Sequence, residues 1–115
     1  PMCMYSAENG IPNDFHLAHL ARFAFGGAGL IIVEATAVSD IGRITPFDLG
    51  LWSDAQIPAY AKMTSLLKQY GAATGIQLGH AGRKASTRRP WEGGLPLDAT
   101  DAAKGNAPWD IVAPS

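Results

Sequence analysis

The chain has 115 residues, 47% of them hydrophobic and 17% charged, and its nine lysines and arginines against ten aspartates and glutamates leave a net charge of −1. That is one domain's length of core-rich material, not a disordered tail, and it lacks the basic excess that nucleic-acid binding needs. No apolar run reaches the ~18 residues of a membrane span, and no charged start followed by an apolar stretch reads as a signal peptide. The single cysteine, Cys3, rules out an internal disulfide and a cysteine-based zinc cluster, so a reduced, cytoplasmic setting is the expectation. Both ends read as cut from a longer reading frame, so the expectation is a chain that forms part of a domain.

In chain order, residues 1–5 are short and apolar and predict the end of a buried strand. Asn9, Gly10 and Pro12 mark a turn. Asn13 is a good N-cap, and Leu17, Leu20, Ala21 and Ala24 recur at helical spacing until Gly26 and Gly27 stop the helix. Gly29 to Ala35 is a run rich in β-branched residues without alternation, the pattern of a parallel strand buried on both faces. A loop follows from Ser39 to Trp52. Ser53-Asp54-Ala55-Gln56 is a capping-box pattern, and Tyr60, Met63, Thr64, Leu67 and Tyr70 form the stripe behind it. Pro58 predicts a tight or kinked first turn. Gly71 ends that helix, Thr74 to Leu78 predicts a third strand, and residues 83–115 read as a long, irregular excursion.

The order β-α-β-α-β-loop predicts an α/β fold, the N-terminal portion of a (β/α)8 barrel with about three βα units, since a full barrel needs roughly 250 residues. A doubly wound sheet is the competing architecture, but no glycine-rich fingerprint follows a strand and opens a helix. In a parallel barrel the chemistry sits at the carboxyl ends of the strands. That brings together Cys3 to Tyr5, Glu34 to Thr36 and Gln77 to Arg83. Cys3 by itself reads as a small buried residue, and as a nucleophile it would need His80 as its base. Gln77 reads as a buried amide, satisfied either by a core partner or by a ligand edge that offers both donor and acceptor. Glu34 reads as half of an ion pair with the basic group His80, Arg83 and Lys84. His16 and His19 are placed on the outer side of the first helix, and no histidine has metal-ligand spacing.

Four ordered segments resemble the Old Yellow Enzyme family: Pro1-Met2-Cys3-Met4-Tyr5-Ser6, Gly29 to Ala35, Gly42-Arg43-Ile44-Thr45, and Gly75-Ile76-Gln77-Leu78-Gly79-His80-Ala81-Gly82-Arg83-Lys84. The cysteine and tyrosine of the first segment resemble the bacterial, thermophilic-type ene-reductases within it. The resemblance implies a partial barrel domain over residues 1–115, non-covalent FMN at the carboxyl face, hydride taken from NAD(P)H, and reduction of the C=C bond of a small α,β-unsaturated substrate. It implies FMN contacts for Pro1, Met2, Cys3 and Ala35, with Cys3 approaching the flavin O4 and N5 region. It gives Gln77 the pyrimidine edge of the ring and Tyr5 a place in the substrate pocket. It places no metal, gives His80 and Arg83 no firm role, and puts the substrate-anchoring pair, the proton donor and the phosphate-binding arginines on strands beyond Ser115. A homo-oligomeric parent protein is compatible with it. Related flavin barrels such as dienoyl-CoA reductases or amine dehydrogenases share these motifs, and a non-catalytic truncated chain is the alternative from another class.

Overall fold

A computed structural model describes residues 1–114. The first helix, α1, covers Asp14–Phe25. Its start follows from Asn13, whose side chain accepts the Phe15 N–H at 3.1 Å while the Asn13 N–H donates to His16 Nδ1 at 3.2 Å. This reciprocal cap draws the His16 ring inward, to 1% exposure. The outer-side placement expected for His16 is therefore wrong, because the orphan N–H groups of the helix start need an acceptor. His19 is half-buried and lines a hollow with Leu30 and Ile32, so it does not occupy a fully outer position either.

Strand β1 (Leu30–Ala37) is central, flanked by β2 (Leu49–Gly50) and, after helix α2 (Ile57–Gln69), by β3 (Ala73–Gly79). All three strands are parallel in the order β2-β1-β3. Ile31 and Val33 of β1 are buried with Leu20 and Ala24 of α1 and with Tyr60, Met63 and Leu67 of α2. Both helices thus cover the same face of the sheet. The other face is open: Leu30 is 58% and Ile32 43% exposed. The unalternating run of β1 predicts burial on both faces. A three-stranded sheet with both helices on one side covers one face alone, so burial alternates at its start.

Residues 1–5 do not form the predicted strand. The Met4 N–H donates to the Glu34 carboxylate at 2.9 Å rather than to a strand ladder, and Tyr5 turns the chain at φ +50°. The loop over 39–52 instead supplies the short strand β2. Pro58 does not kink α2. The tight alternative holds instead: a 3-10 turn, Asp54–Gln56, leads into the helix, and Pro58 falls in its first turn, where the missing N–H breaks no helical hydrogen bond. The Ser53–Gln56 capping box is present as predicted.

The excursion after β3 holds two 3-10 turns, Gly82–Lys84 and Pro90–Glu92, and the short helix α3 (Ala99–Ala102). Its order comes from polar stitches. Arg88 Nε donates to both Asp101 oxygens at 3.1 and 3.0 Å, and Arg88 Nη2 reaches Asp98 at 2.7 Å. Thr87 N–H and Trp109 Nε1–H donate to the carbonyls of Ile44 and Ile41 at 2.9 and 3.0 Å. These bonds fold the excursion back over the 39–48 loop. Among the described residues no helix is long and apolar enough to cross a membrane, and no cluster of three or more potential ligands could hold a metal ion.

Candidate functional site

The β1–β3 ladder contains one irregularity. Val33 pairs with Ile76, but Ala35 pairs with Gln77, so Glu34 is the extra residue of a bulge. Bulges re-aim side chains beside sites. Here the bulge buries the Glu34 carboxylate, 6% exposed, against the Met4 N–H. It also sets Ala35 directly opposite Gln77, which unites two of the predicted site residues at the carboxyl end of the sheet. A Cβ built on Gly75 would lie 3.5 Å from Ile32 Cγ1, so Gly75 and Ile32 share the open face. Gln77, two residues further along β3, projects to that face as well.

A cavity of about 290 Å³ opens at this end. Ala35, Asp48, Gln77 and His80 are among its lining residues. Pro1 and Met2 lie elsewhere, lining a second cavity of about 480 Å³ with Met4, Leu30, Ile32 and Glu34. The structure thus divides the predicted flavin contacts between two hollows. Cys3 is half-buried and sits where the segments meet. Burial, then the Asp48 and Glu34 carboxylates, push its thiol pKa up, while the Ala35 amide and the Tyr5 hydroxyl act the other way. The net direction is upward, which favours the neutral thiol over the thiolate. Tyr5 stands edge-on to Trp91, with ring centroids 5.7 Å apart.

Two sequence expectations fail here. Gln77 is exposed, not buried, because it lies on the open face of an edge strand, and its amide makes no hydrogen bond among the described residues. Glu34 forms no ion pair with the basic group. Its acceptor capacity is directed to the Met4 N–H, while Arg83 Nη2 reaches the Pro114 carbonyl at 3.5 Å and His80 Nδ1 accepts the Gly82 N–H at 3.0 Å. The His80 ring packs so closely on Gly42 that a Cβ there would come within 2.7 Å of it.

Sequence reasoning missed Asp48 and Trp91. Asp48 is 4% exposed and accepts from the Ile44 N–H at 2.7 Å, the Thr45 N–H at 3.0 Å and the Thr45 hydroxyl at 2.7 Å. The only signal was a Thr three residues before an Asp in a loop. Trp91 lies in the glycine- and proline-rich excursion, where no periodicity marks it.

Burial raises the pKa values of Glu34 and Asp48, outweighing the hydrogen bonds that lower them. A carboxyl group whose pKa is raised by folding releases its proton first in the unfolded state. It therefore removes stability as the pH climbs from the ordinary carboxylate range through its folded value. In the holoenzyme containing this chain, Glu34→Gln should flatten that decline while leaving an acceptor for the Met4 N–H. Melting temperatures measured from pH 4.5 to 7.5 check this, and an unchanged slope would remove Glu34 from the account.

The donor set can be tested against a flavin. The pyrimidine edge of an isoalloxazine presents carbonyl acceptors and an N–H donor. The unpaired Gln77 amide, with one acceptor and two donors at the rim of the cavity, fits that edge, and Ala35 beside it has no side chain to block a flat ring. Parallel βα units with such groups at their carboxyl ends are compatible with a flavin-binding barrel oxidoreductase, the class the sequence resemblance implies. The comparisons place the chain further. The family described as NADH:flavin oxidoreductase / NADH oxidase matches residues 1–109. An NADPH dehydrogenase of Listeria monocytogenes is 61% identical over 87 residues, covering 74% of this chain and 26% of that protein. An NADH:flavin oxidoreductase of Gibberella zeae is 48% identical over 116 aligned positions, covering 100% of this chain and 27% of that protein. Among solved structures, the Old Yellow Enzyme of Pichia sp. AKU4542 matches with a TM-score of 0.70 at 25% identity, covering 84% of this chain and 25% of that one. Morphinone reductase matches with a TM-score of 0.68 at 28% identity, covering 74% of this chain and 22% of that one. The chain belongs to the NADH:flavin oxidoreductase / NADH oxidase family, that of the Old Yellow Enzymes, whose cofactors are FMN and NAD(P)H. It spans about a quarter of the length of the relatives it matches and corresponds to the N-terminal part of their barrel.

Proposed function

We propose that the protein carrying this chain is an FMN-dependent oxidoreductase that takes hydride from NAD(P)H and reduces the activated C=C bond of small α,β-unsaturated compounds. The observation that carries the reading is the cross-strand pair of Ala35 and Gln77, with a free amide at the rim of a cavity on the carboxyl side of a parallel sheet. Bound FMN would supply the two-electron hydride chemistry, and the protein supplies position and electrostatics. Gln77 would hold the pyrimidine edge, and the Ala35 backbone would lie against the ring. Cys3 would lie against the ring, and Pro1 and Met2, in the neighbouring hollow, would reach it only where the two hollows join in the complete barrel. Tyr5 would face the substrate pocket. Residues 1–115 contribute to one barrel domain, and the small-molecule alkene is its partner.

Replacing Gln77 with Leu tests the reading. A flavin edge that loses its amide partner in a closed site costs about 1–3 kcal/mol, so FMN should bind roughly ten-fold more weakly or worse in the full-length variant. Titration of the apoprotein with FMN, followed by flavin fluorescence, measures this. An unchanged dissociation constant would take Gln77 out of the flavin site. A wild-type holoenzyme that oxidises NAD(P)H but reduces no enone would refute the alkene half of the reading.

A further inference from the structure

Trp91 has an unusual setting. It lies in the 3-10 turn Pro90–Glu92, which Gly93 closes at φ +98°, and it is 63% exposed. Although exposed, the indole has two named neighbours, Arg89 and Tyr5. Its neighbour Arg89 places its guanidinium 5.3 Å from the Trp91 ring centroid and 4.1 Å from that of Phe47, between the two rings. Glu92 fixes the guanidinium through both carboxylate oxygens, at 3.1 Å to Nε and 2.6 Å to Nη2. On its other side Trp91 meets Tyr5 edge-on. Tyr5 in turn adjoins Cys3. The excursion therefore delivers a rigid aromatic surface to the first-segment residues at the site, from a part of the sequence about 85 residues distant.

We propose that Trp91 forms a wall of the substrate pocket and selects planar, aryl-substituted enones over small aliphatic ones. The proposal rests on the ene-reductase reading above. The chemistry of the wall supports this ligand class over an anionic one. Glu92 neutralises the cation in the stack, so what remains exposed is an indole face and edge, suited to offset or edge-to-face packing with another ring. Tyr5 and Trp91 stand edge-to-face at an interplanar angle of 72°, the same geometry that a substrate ring would adopt against the exposed indole.

The test uses the FMN-loaded full-length protein with trans-4-phenyl-3-buten-2-one as the aryl probe and 2-cyclohexenone as the small one. Trp91→Ala should lower the ratio of kcat/KM for the aryl probe to that for the small probe by about five- to ten-fold, the scale of one lost aromatic contact. The change should fall mainly in KM, and Trp91→Phe should restore most of it. FMN content and melting temperature report whether the excursion keeps its fold. An unchanged ratio in an FMN-loaded Trp91→Ala variant, while the wild type reduces both probes, would overturn the assignment alone. A variant that loses FMN and all turnover, and that Phe does not rescue, would make Trp91 a fold residue and overturn it too. A wild type that reduces neither probe would take down the ene-reductase reading and this inference together.

Discussion

Expressed alone, the 115-residue chain is expected to hold no stoichiometric FMN and to melt without a sharp cooperative transition. The helices cover one face of the sheet, and the opposite face leaves Leu30 58% and Ile32 43% exposed. Leu78 of β3, 55% exposed, adds apolar surface at one edge of the sheet. The outer edge of β3 presents backbone groups with no further strand among the described residues to take them, whereas at β2 the Gly50 N–H donates to the Gly10 carbonyl and the Gly50 carbonyl accepts from the Tyr60 hydroxyl. A fully buried aliphatic side chain is worth about 1.5–3 kcal/mol, and folded domains are stable by only ~5–15 kcal/mol, so several such side chains left in water weigh heavily. The site suffers with the fold, because Gln77 lies on that open face. Calorimetry and a flavin absorbance scan of the purified chain measure both effects. One equivalent of FMN retained through purification, with a single sharp transition, would contradict the expectation.

The parts of this fold that could be read from the sequence are those governed by local chemistry. Asn13 and Ser53 cap helices because their side chains accept nearby N–H groups, and both caps are where the pattern puts them. β1 and β3 were legible as apolar runs bounded by glycines. The two-residue strand β2 was not, since Leu49 and Gly50 carry no pattern of their own and are strand only because Thr36 and Ala37 lie beside them. Residues 1–5 failed for the converse reason: their composition suits a strand, but the Met4 N–H is drawn to a side-chain carboxylate. The Glu34 bulge is likewise invisible in sequence, because it is a property of the register between two strands. That register is what sets Ala35 opposite Gln77, so the sequence named both site residues without the relation between them. Asp48 and Trp91 lie in loops without periodicity: Asp48 is held by local bonds from Ile44 and Thr45 that no helix or strand pattern announces, and Trp91 meets Tyr5, which is far away in sequence.

Cys3 is expected to tune a bound flavin and not to act as a nucleophile. Nucleophilic thiols are thiolates, with pKa values lowered by a cation, a helix N-terminus or a paired histidine. The surroundings of Cys3 are the reverse: burial and the two buried carboxylates Asp48 and Glu34 all push its pKa above the free-thiol value of 9.0. The sign then follows directly. At pH 7 a thiol with such a pKa is less than about 1% ionised, so Cys3 should alkylate far more slowly than an exposed cysteine, and the rate should keep rising beyond pH 9. His80, the one base the sequence offered, has its Nδ1 engaged by the Gly82 N–H and its ring packed on Gly42. A neutral thiol beside the ring would donate a weak hydrogen bond whose strength changes with the flavin's charge. For a two-electron couple ~30 mV corresponds to ~1.4 kcal/mol, so losing one such bond should shift the potential by about that amount. Cys3→Ala in the full-length protein should therefore retain FMN and turnover while its midpoint potential moves, with the reductive and oxidative half-reactions changing speed in opposite senses. A nucleophilic Cys3 would instead leave a substrate adduct on the cysteine during turnover and make the alanine variant inactive. Mass spectrometry of enzyme trapped in turnover and a potentiometric titration separate the two outcomes: an adduct on Cys3 with an unmoved potential would overturn the tuning role.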